Sequence, residues 1–121
     1  MEELYLAIKK AKNENYLARS IYKLEEIDQK YKVLKANNKV CDLGYHPGSW
    51  IQYTSKTVGQ TGLVVGVDIK PINQELSKYK NVKLYSFDIL DSEKAAELFQ
   101  FAPFDVVLSD MAPNTMGVKL V

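Results

Sequence analysis

The chain of 121 residues has one cysteine, one histidine and one tryptophan, with four prolines and six glycines. A single Cys41 excludes an internal disulfide and a cysteine-rich metal scaffold, and with His46 as the only histidine a structural zinc site is not expected, so no metal is assigned. No run of residues approaches the ~18 apolar positions a membrane helix requires. The start, Met1-Glu2-Glu3, lacks the basic residues and apolar stretch of a secretory signal. These absences lead to the expectation of a soluble, cytoplasmic protein with no membrane partner. The 46% hydrophobic and 26% charged composition fits one folded domain.

A net excess of either charge is nearly lacking, 16 Lys and Arg standing against 15 Asp and Glu for a net of +1, but the charge is unevenly spread. Residues 1–40 hold nine Lys and Arg against six Asp and Glu, and the rest hold seven against nine. A basic front suits an anionic partner; a solvated, lysine-rich helical surface is the plainer alternative.

Spacings of three and four set Leu4, Ala7, Ile8 and Ala11 on one helical face, and Ile21, Leu24, Ile27 and Tyr31 on another. Strands are expected over 39–43, 63–69, 82–87 and 104–108, the second buried on both faces because its apolar residues do not alternate with polar ones. Helices are expected over 50–58 and 93–101, the latter capped by Ser92. Strands alternating with helices predict an α/β fold with a parallel, doubly wound sheet of about four strands. Four strands would leave an apolar edge, so residues 1–121 are expected to be the N-terminal portion of a single domain, with 1–38 a helical segment and 39–121 the cofactor-binding part. The alternative is a minimal domain completed by dimerisation.

The loop Asp42-Leu43-Gly44-Tyr45-His46-Pro47-Gly48-Ser49-Trp50 joins the first strand to a helix. Gly44 and Gly48 permit close backbone approach, and ligands of open parallel sheets lie beyond the carboxyl ends of the strands. The spacing is not the Gly-x-Gly-x-x-Gly of a dinucleotide site. Asp42 disfavours a phosphate and suits a cationic, amine-bearing ligand, which favours S-adenosyl-L-methionine over NAD. Asp68, Asp88 and Asp110 follow the second, third and fourth strands, and the first of them suits a ribose. Asp is also a common residue of strand-ending turns.

Three stretches, Arg19-Ser20-Ile21-Tyr22-Lys23-Leu24 with Glu26-Ile27, the loop 42–50, and Leu108-Ser109-Asp110-Met111-Ala112-Pro113-Asn114-Thr115, resemble the FtsJ/RrmJ-type ribose 2′-O-methyltransferases, bacterial enzymes acting on uridine of 23S ribosomal RNA among them. The resemblance runs from about residue 15 to the last residue. It implies a Rossmann-like fold and S-adenosyl-L-methionine as cofactor. It implies cofactor contacts at Gly48 and Trp50, adenosine contacts at Asp68 and Asp88, and a place for Asp110 at the cofactor and the reacting centre. Of the family's Lys-Asp-Lys-Glu catalytic set, Lys23 matches the first Lys and Asp110 the Asp. The second Lys and the Glu have no counterpart in these residues, so weak catalysis or none is expected from them alone. Tyr45 and His46 replace a small pair of the family loop, which reads Gly-Ala-Ala-Pro-Gly-Gly-Trp, and Ser49 replaces its second Gly; Tyr45 and His46 are expected to add bulk near the methionine end.

RNA, ribosomal RNA or the large ribosomal subunit above all, is the expected partner, with Lys9, Lys10, Lys12, Arg19, Lys30, Lys32 and Lys35 as candidate phosphate contacts. Two other readings stay open: a non-catalytic cofactor- or RNA-binding module, and a nucleotide-dependent oxidoreductase, against which the loop spacing and Asp42 argue.

Overall fold

The computed structural model describes residues 17–109 and 118–120, with side chains described over 24–109. The first expected helix and Asp110 lie outside the described residues. Helix α1 (Leu17–Tyr31) leads to β1 (Lys39–Leu43), α2 (Ser49–Val58), β2 (Leu63–Asp68), β3 (Val82–Ser86), the short α3 (Ser92–Ala95), β4 (Val106–Ser109) and β5 (Val118–Leu120). The strands form one sheet in the order β3-β2-β1-β4-β5. The first four are parallel, and β5 runs antiparallel to β4. The four expected strands are all present and parallel, and β5 is a fifth that the sequence reading did not include. The antiparallel strand had no signal in the sequence reading because its three residues carry no period of their own, and pairing with β4 defines them.

Successive side chains of a strand point to opposite faces, so the uninterrupted apolar runs cover both sides of the sheet. Val40, Val64, Val106 and Leu108 pack with Leu24 and Ile27 of α1 and Trp50, Ile51 and Val58 of α2. Cys41, Leu43, Val65 and Val67 pack on the other side with Phe87 and Leu98. Gly66 occupies the first face, where a Cβ would meet Leu84, Tyr45 and Ile51 at 2.9–3.1 Å.

Several boundaries differ from the sequence reading, β3 ending at Ser86 and β4 running over Val106–Ser109 among them. Strand β2 ends at Asp68, and Ile69 is 71% exposed rather than buried. Asp91, not Ser92, caps α3, its side chain accepting from the N–H groups of Glu93 and Lys94. The expected helix over 93–101 is one α-turn followed by a 3₁₀ segment, Ala96–Phe101. Ala95, Leu98 and Phe101 recur every third residue against the second core cluster, a period that the three-residue turn of a 3₁₀ helix matches. The crossover from β2 to β3 is likewise a 3₁₀ turn, Gln74–Lys78, anchored by buried Leu76. Tyr31, expected on the apolar stripe of α1, is 38% exposed because the helix ends there. Asp28 is buried instead, accepting from the Leu34 N–H at 2.7 Å and the Tyr53 hydroxyl at 2.8 Å. No helix among the described residues is long and apolar enough to cross a membrane.

Candidate cofactor site at the strand tips

The chain moves outward from β1 to β2 to β3 and then returns to β4 beside β1. The carboxyl ends of β1, β2 and β3 therefore open together, and a cavity of about 370 Å³ lies there. Gly44, Asp68 and Asp88, one from the end of each strand, line it with His46, Lys70 and the apolar side chains of Ile69 and Ile89.

The loop after β1 is held at four points. Gly44 N–H donates to Val67 O at 2.7 Å, continuing the β1–β2 ladder past the strand. His46 N–H donates to Asp68 Oδ2 at 2.9 Å. The Asn73 side-chain amide donates to Pro47 O at 2.7 Å, and the Asn73 N–H donates to the Tyr45 hydroxyl at 3.3 Å. Gly48 then precedes α2 with φ 120, where a Cβ would come within 2.5 Å of Leu76. That backbone and that contact both call for glycine. A loop tied to β2 and to the β2–β3 crossover is pre-organised for a ligand.

Asp68 also accepts from the Lys70 N–H through Oδ1 at 3.0 Å. A carboxylate offers about four acceptor positions, so each oxygen retains room for a hydroxyl. Asp88 is exposed and accepts from the Leu90 N–H through Oδ1 at 2.9 Å. Two carboxylates at the rim disfavour a phosphate and admit hydroxyl and amino donors. Ile69 and Ile89 offer apolar surface for a flat ring.

The expected site residues divide. Gly44, Asp68 and Asp88 share the cavity. Trp50 is 1% exposed in the core between α2 and the sheet, Asp42 is 2% exposed within β1, and Gly48 stands against Leu76; none of the three lines the cavity. Lys23 falls on α1 ahead of the described side chains, and Asp110 lies outside the described residues. The bulk expected from Tyr45 at the ligand does not materialise. Its side chain turns inward, 1% exposed, into the space that Gly66 leaves on β2. His46 does line the cavity. Lys70, Ile69 and Ile89 were missed by the sequence reading, although a signal existed: the dipeptide Asp-Ile recurs at 68–69 and 88–89, at two neighbouring strand tips.

Cys41 and Asp42 are adjacent and buried in β1. Burial first, and the charge of Asp42 second, push the Cys41 thiol up to about 12. It is a packing residue, not a nucleophile.

A mostly parallel sheet wrapped by helices, with a cavity over the carboxyl ends of β1, β2 and β3, defines the class of doubly wound α/β domains. The profile of the family described as FtsJ-like methyltransferase matches residues 16–121, and the chain belongs to that family. The ribosomal RNA large subunit methyltransferase E of Syntrophobacter fumaroxidans is 50% identical over 112 residues, which cover 92% of this chain and 56% of that protein. Its counterpart from Bdellovibrio bacteriovorus is 47% identical over 116 residues, covering 93% and 57%. The chain spans about half the length of the curated relatives it matches. A crystal structure described as a ribosomal RNA methyltransferase from Plasmodium falciparum aligns over 84% of this chain and 59% of its own, with TM-score 0.58 and 32% identity. Aeropyrum pernix fibrillarin, solved with natively bound S-adenosyl-L-methionine, aligns over 66% of this chain and 36% of its own, with TM-score 0.59 and 21% identity, a likeness of fold alone. The fold is the Rossmann-like fold of S-adenosylmethionine-dependent methyltransferases.

Proposed function

We propose that the chain binds S-adenosyl-L-methionine over the tips of β1, β2 and β3 and serves methyl transfer to a ribose 2′-hydroxyl of RNA, with uridine of 23S ribosomal RNA in the cytoplasm as the substrate. The observation that carries this reading is the convergence of Gly44, Asp68 and Asp88 on one cavity in a chain of the FtsJ-like family. The matches to ribosomal RNA methyltransferases support the choice of RNA, and their greater length supports reading this chain as the N-terminal part of one methyltransferase domain.

The residues present fit the cofactor. Asp68 keeps acceptor capacity for two ribose hydroxyls, Asp88 lies open to an amino group, and Ile69 and Ile89 suit the faces of an adenine. When bound, S-adenosyl-L-methionine supplies a methyl group on a positively charged sulfur that is already a good leaving group. The protein's part is alignment of acceptor and donor and removal of the hydroxyl proton. Lys23 and Asp110 are the residues we assign to alignment, and the base is the second Lys of the family set, which has no counterpart in these residues. A lysine takes up a proton only if its pKa falls, which a neighbouring lysine such as Lys23 brings about, and Asp110 would orient the pair. Gly48, Asp42 and Trp50 act in this proposal through the loop and helix they support.

Calorimetric titration tests the reading. S-adenosyl-L-methionine is expected to bind and NAD is not, and Asp68→Ala is expected to abolish the binding. Binding of NAD alone would overturn it.

A further inference from the structure

At the opposite end of the sheet a second cleft, of about 680 Å³, separates the C-terminus of α2 from the segment that enters β3. Lys56 comes to it from α2, and Lys78 and Lys80 come from the other wall, with Tyr79 between them and Gln60 and Asn81 also in the lining. Three exposed lysines from two elements thus line one cleft. The ordinary task of a lysine beside a helix C-terminus is to satisfy its last carbonyls. Here that task is done by other groups. The Asn81 side-chain amide donates to Ser55 O and Gly59 O, each at 2.9 Å, and the Asn37 N–H donates to Val58 O at 2.8 Å. Among the described residues, no ion pair joins Lys56, Lys78 or Lys80 to a carboxylate. The Lys78 ammonium lies 5.4 Å from the centre of the half-buried Tyr79 ring, so an aromatic face accompanies the charge.

The near balance of charge in the sequence conceals this arrangement. Asp68, Asp88 and Lys70 lie at the carboxyl end of the sheet and Lys56, Lys78 and Lys80 at its amino end, with β2 running between the two. That strand has six residues, about 20 Å at the rise of an extended chain.

We propose that this lysine cleft is a second RNA contact, holding backbone phosphates of the substrate RNA about 20 Å from the cofactor cavity. The proposal rests on the RNA-methyltransferase reading and extends it to a surface that has no part in the chemistry. Phosphate contacts of this kind fix register on the RNA and leave sequence choice to other contacts. Tyr79 offers an unpaired base a stacking surface.

The test is RNA binding as a function of salt, using the 121-residue chain and a labelled RNA hairpin. Lys56→Gln, Lys78→Gln and Lys80→Gln are combined, Lys94→Gln on α3 is the control, and S-adenosyl-L-methionine titration is run on each. The triple variant is expected to bind RNA about tenfold or more weakly at low salt, with its log–log salt slope reduced by about two to three. Lys94→Gln is expected to leave both unchanged, and cofactor titration is expected to be the same for all, which also shows that the variants fold. Wild-type RNA affinity and slope in the triple variant would overturn the cleft while leaving the proposed function standing. A wild-type chain that binds cofactor but no RNA would overturn both. Retention of the chain on polyglutamate as strong as on RNA, lost in the triple variant, would mark a surface for an acidic protein and overturn the RNA assignment.

Discussion

The backbone N–H of His46 donates to Oδ2 of Asp68 at 2.9 Å, tying the loop after β1 to the tip of β2. The carboxylate fixes the loop that borders the cavity, and it lines that cavity with acceptor capacity to spare. Asp68 is thus an architectural residue as well as a candidate ligand residue.

Replacing Asp68 separates the two tasks. Asp68→Ala removes the acceptor of the His46 and Lys70 N–H groups, and a stability loss of about 1–3 kcal/mol is expected together with loss of S-adenosyl-L-methionine binding. Asp68→Asn retains one acceptor oxygen and should recover part of the stability with little of the binding. Chemical denaturation and calorimetry on the two variants check this, and full cofactor affinity in Asp68→Ala would sink the assignment.

Two glycines with positive φ are expected to respond differently to alanine. At Gly48 the new Cβ meets Leu76, itself 2% exposed, in addition to the strain of φ 120. At Gly59 there is nothing within 4 Å, and only the φ of 76 opposes the change. Gly59→Ala should cost about 1–2 kcal/mol and Gly48→Ala about 2–5 kcal/mol. Urea midpoints give the order, which is the part of the prediction that geometry fixes.

Alkaline stability follows from two buried groups. Burial, then the hydrogen bond and charge of Asp28, push the Tyr53 hydroxyl up to about 12 from its ordinary 10.0. Cys41 is raised to about 12 from 9.0. Groups raised on folding contribute stability in full below their unfolded values and lose it as pH rises through their folded ones. Stability is therefore expected to fall between about pH 9 and 12. Tyr53→Phe should be about 1–3 kcal/mol less stable at neutral pH, since it removes a hydrogen bond to a buried carboxylate, and its decline above pH 10 should be shallower. Denaturation midpoints across that range check both statements.

The Cys41 thiol, buried and held protonated, is expected to resist alkylation by iodoacetamide at pH 8 in the folded protein and to react fully in denaturant. Mass spectrometry of the two samples checks this. Rapid labelling of the folded chain would contradict the packing role given to Cys41.

The amino-acid sequence by itself determined the parallel strands, because apolar runs such as Leu63-Val64-Val65 and Val106-Val107-Leu108 leave no polar face and must be covered on both sides. It also determined that acids follow the strands and that a glycine-containing loop follows β1. These are local properties of the chain, and local chemistry suffices to read them. Tertiary structure alone decided where loop side chains went. Tyr45 turns into the core because Gly66, on a different strand, leaves the space, while His46 beside it faces the cavity. It likewise decided that Trp50 is core, that Ile69 leaves the strand for the cavity rim, and that Lys56 meets Lys78 and Lys80 across a cleft. The reason is the same in each case: a side chain's surroundings are supplied by segments far away in sequence, and no local pattern records which segments those are.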